Sequence, residues 1–196
     1  MIAYIAGKLT YKDPIQVIID IGGLGYEVKI SLNTFSQVKN QDTCKLFTYL
    51  HIKEDAHTLY GFASLEEKRW FLALIRINGI GTGIAMTTLS SLNPNELQQA
   101  IVHEDVALIK SIKGIGDKAA HRIILELKDK LGKIATTDSS LPYSNVKESL
   151  RQEALIALTT LGIHKNVGEK AISTILQKYQ GDISLEELIK LALKAS

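Results

Sequence analysis

The stretch KGIGDKAAHR, residues 113–122, places two glycines one residue apart between segments with helical periodicity. A similar stretch, NGIGTGIAMT, begins at residue 78, and Gly114 of the later copy lies 35 positions after Gly79 of the earlier one. Glycine adopts positive-φ backbone conformations that other residues avoid, so each copy predicts a tight turn between two helices. The sequence therefore predicts two helical hairpins, each closed by Gly-Ile-Gly.

Such a turn has the chemistry to hold a phosphate. The first amides of a helix lack backbone partners and carry partial positive charge, and glycine has no β-carbon to keep a phosphodiester away. The isoleucine of each turn is expected to pack back between the helices. We therefore predict binding to the DNA backbone that weakens with salt and does not depend on base sequence. The residues predicted to bind are Gly79, Ile80, Gly81, Gly114, Ile115, Gly116, Lys118 and Arg122.

A single Gly-Ile-Gly between helices is equally consistent with a plain turn. The second copy favours binding, as do Lys118 and Arg122, which stand four positions apart on the helix that follows it. Two such turns at a fixed separation would hold one phosphate on each strand of a duplex across the minor groove. This arrangement favours double-stranded over single-stranded DNA.

Composition indicates a globular chain without an intrachain disulfide or a metal site built from several cysteines. The 196 residues are 45% hydrophobic and 22% charged, with a net charge of +2 and one cysteine, Cys44. No apolar run approaches the roughly 20 residues of a membrane-spanning helix, and the start MIAYIAGKLTYKD reads as a strand rather than a signal peptide. A reducing cytoplasm fits a lone cysteine. Positive charge is concentrated beside the second turn, where four bases between Lys110 and Arg122 oppose one acid, Asp117.

Residues 1–63 predict a small β-barrel. IQVIIDIG alternates Ile15, Val17, Ile19 and Ile21 on one face, and GGLG supplies a turn before the alternating GYEVKIS. About five short strands, with a helical turn at LNTFSQV, suit an OB-like barrel. The pattern alone leaves an SH3-like barrel or a sandwich open.

The remaining residues predict two helical domains joined by a linker. Residues 64–132 form the all-α domain with both hairpins, beginning at a capping box of Ser64 and Glu67, and Asn93-Pro94 with Glu96 starts a later helix. Residues 133–146 lose periodicity and read as a flexible linker. Residues 147–196 predict a small three-helix, UBA-like domain. The fold class is thus α+β with several domains.

These stretches, taken in order, resemble the RuvA family of Holliday-junction branch-migration subunits. The stretches concerned are MIAYIAGKL, EDAHTLYGF, EEKRWFLALI, NGIG and KGIGDKAAHRIILELKDKL. The likeness spans essentially the whole chain and is most specific from Lys53 to Leu131. It implies a tandem helix-hairpin-helix, binding to four-way junctions in recombination and repair, including the SOS response, and no catalysis by this chain. The sequence departs from the family at two positions, Gly83 and Asp117, where relatives have basic residues. Both differences weaken the expected electrostatic attraction to DNA.

The resemblance also gives Glu54 and Asp55 a role. By themselves they read as a solvated hairpin tip, but in this family two acids here form a pin that faces the junction centre and keeps it open by repelling phosphates. A nuclease is disfavoured because two-metal hydrolysis needs further converging carboxylates. His51 and His57 beside the tip more readily cover the strand surface than bind metal.

No stretch matches the G-x-x-x-x-G-K-[ST] phosphate loop, so we expect no ATP hydrolysis, no cofactor and no metal. The resemblance implies the hexameric motor RuvB as a partner docked on residues 147–196, and a homotetramer that gives each junction arm one subunit. It leaves open whether two tetramers pair as an octamer on DNA and whether the resolvase RuvC also binds.

Two other functions fit parts of the sequence. A base-excision glycosylase also uses a helix-hairpin-helix, and Asp138 lies where such an enzyme keeps an acid. That residue falls in the predicted linker, however, and no base-flipping pocket is evident. A general DNA-repair scaffold or nuclease accessory is the other alternative, and it would bind four-way and linear DNA equally.

Overall fold

The computed structural model describes residues 2–128, 131, 146–178 and 183–195. The chain divides into two compact units, residues 1–139 and residues 140–196. Within the described ranges, no helix combines the length and apolar character that crossing a membrane requires.

The first unit begins with a closed five-stranded barrel, which confirms the predicted OB-like fold. Its elements are β1 (Tyr4–Asp13), β2 (Gln16–Asp20), β3 (Gly25–Ile30), α1 (Leu32–Val38), β4 (Thr43–Ile52) and β5 (His57–Phe62). The strand order is β1-β2-β3-β5-β4, and every pair is antiparallel except β3 with β5, which is parallel. The turn at GGLG has positive φ at Gly22 (65°) and Gly23 (94°), as predicted.

Fewer residues of β2 face the barrel interior than the sequence pattern predicted. Val17 and Ile19 are fully buried, whereas Ile15 and Ile21 are 67% and 41% exposed. The alternation continues beyond both ends of the strand, which spans only Gln16–Asp20. These outer isoleucines therefore lie on the surface. The barrel core is completed by residues of the other elements, among them Ile5, Leu9, Val28, Ile30, Val38, Leu46 and Leu59.

Five helices whose residues the structure describes follow the barrel in the same unit. They are α2 (Leu65–Leu74), α3 (Thr82–Ser91), α4 (Pro94–Val102), α5 (Val106–Ser111) and α6 (Asp117–Lys128). Their apolar faces share one core with the end of β5, and this core includes Tyr60, Phe62, Trp70, Phe71, Leu74, Ile101, Ile109, Ile123 and Leu127. Because the core crosses from strand to helices, the barrel and the helical region support each other.

Two predicted capping boxes have different outcomes. At α4 both arms are present: the Asn93 side chain accepts from the Glu96 amide, and the Glu96 carboxylate accepts from the Asn93 amide. At α2 the Ser64 hydroxyl accepts from the Glu67 amide at 3.1 Å. The Glu67 carboxylate, however, is fully buried and accepts hydrogen bonds from α1 instead.

The Glu67 carboxylate joins the barrel to the helical region. The Ser31 hydroxyl donates to one carboxylate oxygen, and the Thr34 hydroxyl donates to the other at 2.7 Å. Thr34 also accepts from the Ala63 amide at 3.0 Å. Burial away from water raises the pKa of Glu67, and this effect exceeds the opposing one of the two hydroxyls, whose hydrogen bonds stabilise the ionised carboxylate.

In its described residues the second unit contains three helices, α7 (Val146–Thr160), α8 (Lys165–Lys178) and α9 (Leu185–Ala195). They enclose a small core formed by Ala154, Leu158, Ala171, Ile172, Ile175, Ile183, Leu188 and Ala192. Gly162 has φ of 93°, as expected for a residue that ends a helix. Val146, the last residue of the predicted linker, begins α7, and the rest of that linker lies outside the described residues. The division into four segments stays a prediction.

Candidate nucleic-acid interface

The first Gly-Ile-Gly forms a tight turn between α2 and α3. Gly79 has φ of 90°, the conformation for which glycine was predicted. The Ile80 amide donates to the Ile77 carbonyl at 3.0 Å, and the Ala85 amide donates to the Gly81 carbonyl at 3.0 Å, which starts α3. A β-carbon added at Gly79 or Gly81 would meet no atom within 4 Å, so the outer side of the turn is open.

The second turn, between α5 and α6, repeats this construction. Gly114 has φ of 92°. The Ile115 amide donates to the Ile112 carbonyl at 3.1 Å, and the Ala120 amide donates to the Gly116 carbonyl at 2.9 Å. A β-carbon at Gly116 would also meet open space. The two stretches therefore have the same local structure as well as similar sequences.

The isoleucines shape the turns from inside. Ile80 and Ile115 are 4% and 5% exposed and belong to the core of the helical region, which confirms the predicted packing between helices. Their amides are already bonded to carbonyls within the turns. Any external phosphate must therefore bind the neighbouring amides, and the isoleucines contribute the shape of the turn.

Helix α3 differs from its neighbours at its N-terminus. Its N-cap, Gly81, makes no side-chain hydrogen bond to the first turn. Four other helices of this unit have side-chain caps, provided by Ser31, Ser64, Asn93 and Asp105. Because the first amides of a helix have no intrahelical acceptor, those of α3 are available to an external one.

The basic side chains near the second turn have different surroundings. Within the described residues Lys118 makes no ion pair, whereas Lys110 pairs with Asp117 at 3.1 Å. The hydrogen bond from Lys110 lowers the pKa of the Asp117 carboxyl. The His121 Nδ1 lies 2.9 Å from the Asp117 carbonyl oxygen, which accepts a hydrogen bond, so Nδ1 is the protonated donor. Asp117 thus partly neutralises the basic cluster.

The sequence predicted Arg122 as a ligand of the DNA backbone. In the structure its side chain also makes a hydrogen bond within the protein. Its Nη1 donates to the Asn78 carbonyl oxygen at 2.9 Å, across 44 positions of sequence. Asn78 immediately precedes Gly79, so Arg122 connects the helix of the second hairpin to the turn of the first. No local sequence signal marks this contact.

Glu54 and Asp55 lie at the tip of the hairpin formed by β4 and β5. The Lys53 amide donates to the Ala56 carbonyl at 2.9 Å and closes this turn. Both acids are exposed, and neither forms an ion pair in the described part of the chain. From β5 the Tyr60 hydroxyl donates to Thr82 Oγ1 at 3.0 Å, so the hairpin strand contacts the start of α3.

The histidine near this tip packs on aromatic rings. The His51 ring centroid lies 6.2 Å from that of Tyr49 and 6.5 Å from that of Tyr60. Among the residues that the structure describes, no group of three or more His, Cys, Asp or Glu side chains is placed to hold a metal ion. The geometry therefore gives His51 a packing role on the strand surface.

Three family models match successive parts of the chain. They are the RuvA N terminal domain over residues 1–61, the SAM-like helix-hairpin-helix tandem over residues 71–129, and the RuvA C-terminal domain over residues 149–196. The middle match contains both turns. All three segments described above thus correspond to known domains.

Full-length relatives give the same result. The chain is 54% identical to a protein of Amoebophilus asiaticus over 99% of this chain and 100% of that protein, and 54% identical to one of Cytophaga hutchinsonii over the full length of both. A protein of Flavobacterium psychrophilum is 47% identical over 99% of each chain. Each of the three is named Holliday junction branch migration complex subunit RuvA. With matches of this extent, the chain belongs to the RuvA family of Holliday junction branch migration complex subunits.

Proposed function

We propose that the chain binds four-way DNA junctions and holds them open for branch migration in recombination and repair. It acts as the non-catalytic DNA-binding subunit of a complex whose ATP-driven motor is a separate protein, and this DNA-bound role belongs in the cytoplasm. The observation that carries the proposal is the pair of similar turns in a chain of this family, with φ of 90° at Gly79 and 92° at Gly114 and open space outside Gly81 and Gly116.

The turns act by gripping the phosphate backbone. The donors are the open amides around Gly79 and Gly81 in the first turn and around Gly114 and Gly116 in the second. Lys118, which has no ion pair within the described residues, adds a positive charge beside the second turn. Backbone amides and a single lysine contact carry no base information, so the binding depends on the structure of the DNA and weakens with salt.

The acidic tip has the opposite effect on DNA. Glu54 and Asp55 are exposed and without ion pairs in the described residues, so their charges face solvent uncompensated. At a point where several strands converge, these carboxylates repel phosphates and keep the crossover open. The attraction of the turns and the repulsion of the tip together favour a junction over a linear duplex.

The second unit docks the motor. Its described residues include apolar side chains on the surface, among them Ile156, Leu161 and Val167, which are 66%, 61% and 44% exposed. Exposed apolar surface of this kind suits a protein partner. We assign that partner as the hexameric ATPase RuvB, with RuvC as a further partner on the junction. Four copies of the chain, one for each arm, complete the assembly.

The test compares DNA structures at matched salt. The purified full chain is titrated with four-way, three-way and linear DNA built from the same arm sequences, and binding is measured by gel shift. We expect the four-way junction to bind most tightly. Equal affinity for all three structures would instead identify a general DNA-repair scaffold, and mass measurement of the free protein decides whether it is a tetramer.

The tip is tested separately with Glu54→Gln and Asp55→Asn combined. The double variant should still bind arms, but should change the rate of motor-driven branch migration or the preference for junctions. Glu27→Gln is a matched control, since it removes an exposed carboxylate elsewhere on the barrel. If the double variant behaves like this control in both measurements, the acids have no role at the crossover.

A further inference from the structure

Arg122 connects the two hairpins at the place where they meet. Its Nη1 donates to the Asn78 carbonyl oxygen at 2.9 Å. Close by, a β-carbon on Gly114 would lie 3.7 Å from the Cγ1 atom of Ile84 in α3, which is ordinary van der Waals distance. The second turn therefore lies near the helix of the first hairpin, and the arginine connects the same two hairpins by a charge-assisted hydrogen bond.

The bridge ends on the backbone of a turn rather than on a side chain. Asn78 immediately precedes Gly79, whose φ of 90° marks the bend of the first turn. The guanidinium is planar and presents its donors in a fixed fork, so a bond to that carbonyl restrains both distance and direction. A lysine would retain the charge but not this geometry.

The separation of two linked binding sites controls the affinity of the pair. When two sites engage one ligand together, the gain over a single site can reach about 100-fold to 10,000-fold, and it is lost when the geometry does not match. The phosphates of a duplex stand at fixed positions. Two amide turns that bind them must therefore be held at a matching separation.

We propose that Arg122 is a positioning residue that sets the separation of the two phosphate-binding turns through the Asn78 carbonyl. This inference rests on the proposed function, since it assumes that both turns bind DNA. It differs from the sequence-based prediction, in which Arg122 is itself a phosphate ligand. Lys118, on the same helix and unpaired in the described residues, is the residue that adds charge.

The experiment compares Arg122→Lys with Lys118→Gln in the full chain. Binding to a short linear duplex is measured over a range of salt concentrations, and thermal unfolding checks that each variant is folded. Arg122→Lys should weaken binding by about 100-fold if the two turns no longer engage together, while the salt slope stays unchanged, because the charge is retained and only the geometry is lost. Lys118→Gln should reduce the slope by about 0.9, the value for one lost phosphate contact.

A second measurement needs no DNA. Amide hydrogen exchange at Ile80, whose N–H donates to the Ile77 carbonyl, should be faster in Arg122→Lys than in the unmodified chain, since the turn loses its restraint. Lys118→Gln should leave this exchange unchanged. A role in binding phosphate alone would not alter exchange in the DNA-free protein.

Two results would overturn the inference. One is unchanged exchange in Arg122→Lys. The other is a pair of results: Arg122→Lys binds DNA with full affinity, and a further variant, Arg122→Gln, has a salt slope reduced by about 0.9. Together they would identify Arg122 as a phosphate ligand. Failure of the proposed function has a different signature, because DNA would then leave the exchange of residues 78–81 and 113–116 unchanged in the unmodified chain.

Discussion

Replacing Gly81 with alanine separates DNA binding from folding at the first turn. Gly81 has φ of −84° and ψ of 173°, which alanine adopts without strain, and the added β-carbon meets no atom within 4 Å. Alanine at this position raises the free energy of unfolding by about 0.4–1 kcal/mol, because it restricts the conformations of the unfolded chain. It is a poorer N-cap than glycine by a similar amount, so the free energy of unfolding should change by less than about 0.5 kcal/mol.

The same β-carbon stands on the open side of the turn, where we place the phosphate. A charge-assisted hydrogen bond contributes about 1.5–3 kcal/mol, so its loss should weaken duplex binding about tenfold or more. Gly116→Ala should act in the same way at the second turn, where the added β-carbon also meets open space. Each variant is predicted to be stable but defective in binding.

Gly79→Ala is the matched contrast. Its φ of 90° is unfavourable for any residue with a β-carbon, although nothing lies within 4 Å of the added atom. The cost is therefore conformational, about 1–3 kcal/mol of unfolding free energy. This variant should lose stability, and any loss of binding would follow from the distorted turn.

The assays are denaturant unfolding and salt-matched gel shift with a linear duplex and a four-way junction. The decisive comparison is Gly81→Ala and Gly116→Ala against the unmodified chain. If both bind either DNA with unchanged affinity while remaining folded, phosphates do not approach these amides. The backbone-grip mechanism would then be wrong.

Three further predictions concern charge. Gly83→Lys should strengthen duplex binding and make the salt slope steeper by about 0.9, and an unchanged slope would contradict it. Asp117→Asn should release Lys110 from its ion pair and tighten binding, whereas unchanged affinity would mean that this acid does not oppose DNA. Burial raises the pKa of Glu67 above its ordinary 4.5, so the folded chain binds more protons than the unfolded chain in the window above that value. Its stability should therefore fall as the pH rises through this window, by at most about 1.4 kcal/mol per pH unit, and Glu67→Gln should lack this slope in denaturant titrations.

Features governed by local rules were predictable from the sequence. The alternation around Val17 and Ile19 indicated a strand, and the glycines at 79 and 114 indicated turns with positive φ. In each case the requirement is met by a residue and its immediate neighbours. The capping box of Asn93 and Glu96 was predictable for the same reason.

Contacts between distant segments were not predictable in this way. Glu67 was expected to bond back to its own helix start, but it accepts from hydroxyls 36 and 33 positions earlier, because the fold brings the start of α1 beside this carboxylate. Arg122 was expected to bind the DNA backbone, and its neighbours in sequence gave no sign that it also donates to a carbonyl 44 positions earlier. The local pattern drew attention to both residues but did not reveal their partners. Tertiary packing decided their partners.

Strand β5 completes the barrel, because it lies between β3 and β4. During synthesis, residues 1–52 emerge first and can form only an open sheet, in which β3 and β4 are unpaired edges that invite association with other chains. Both edges are covered when His57–Phe62 emerges, and α2 begins only three residues later, at Leu65. A nascent chain stalled before residue 57 should therefore need chaperone protection, whereas one stalled after α2 has emerged should not.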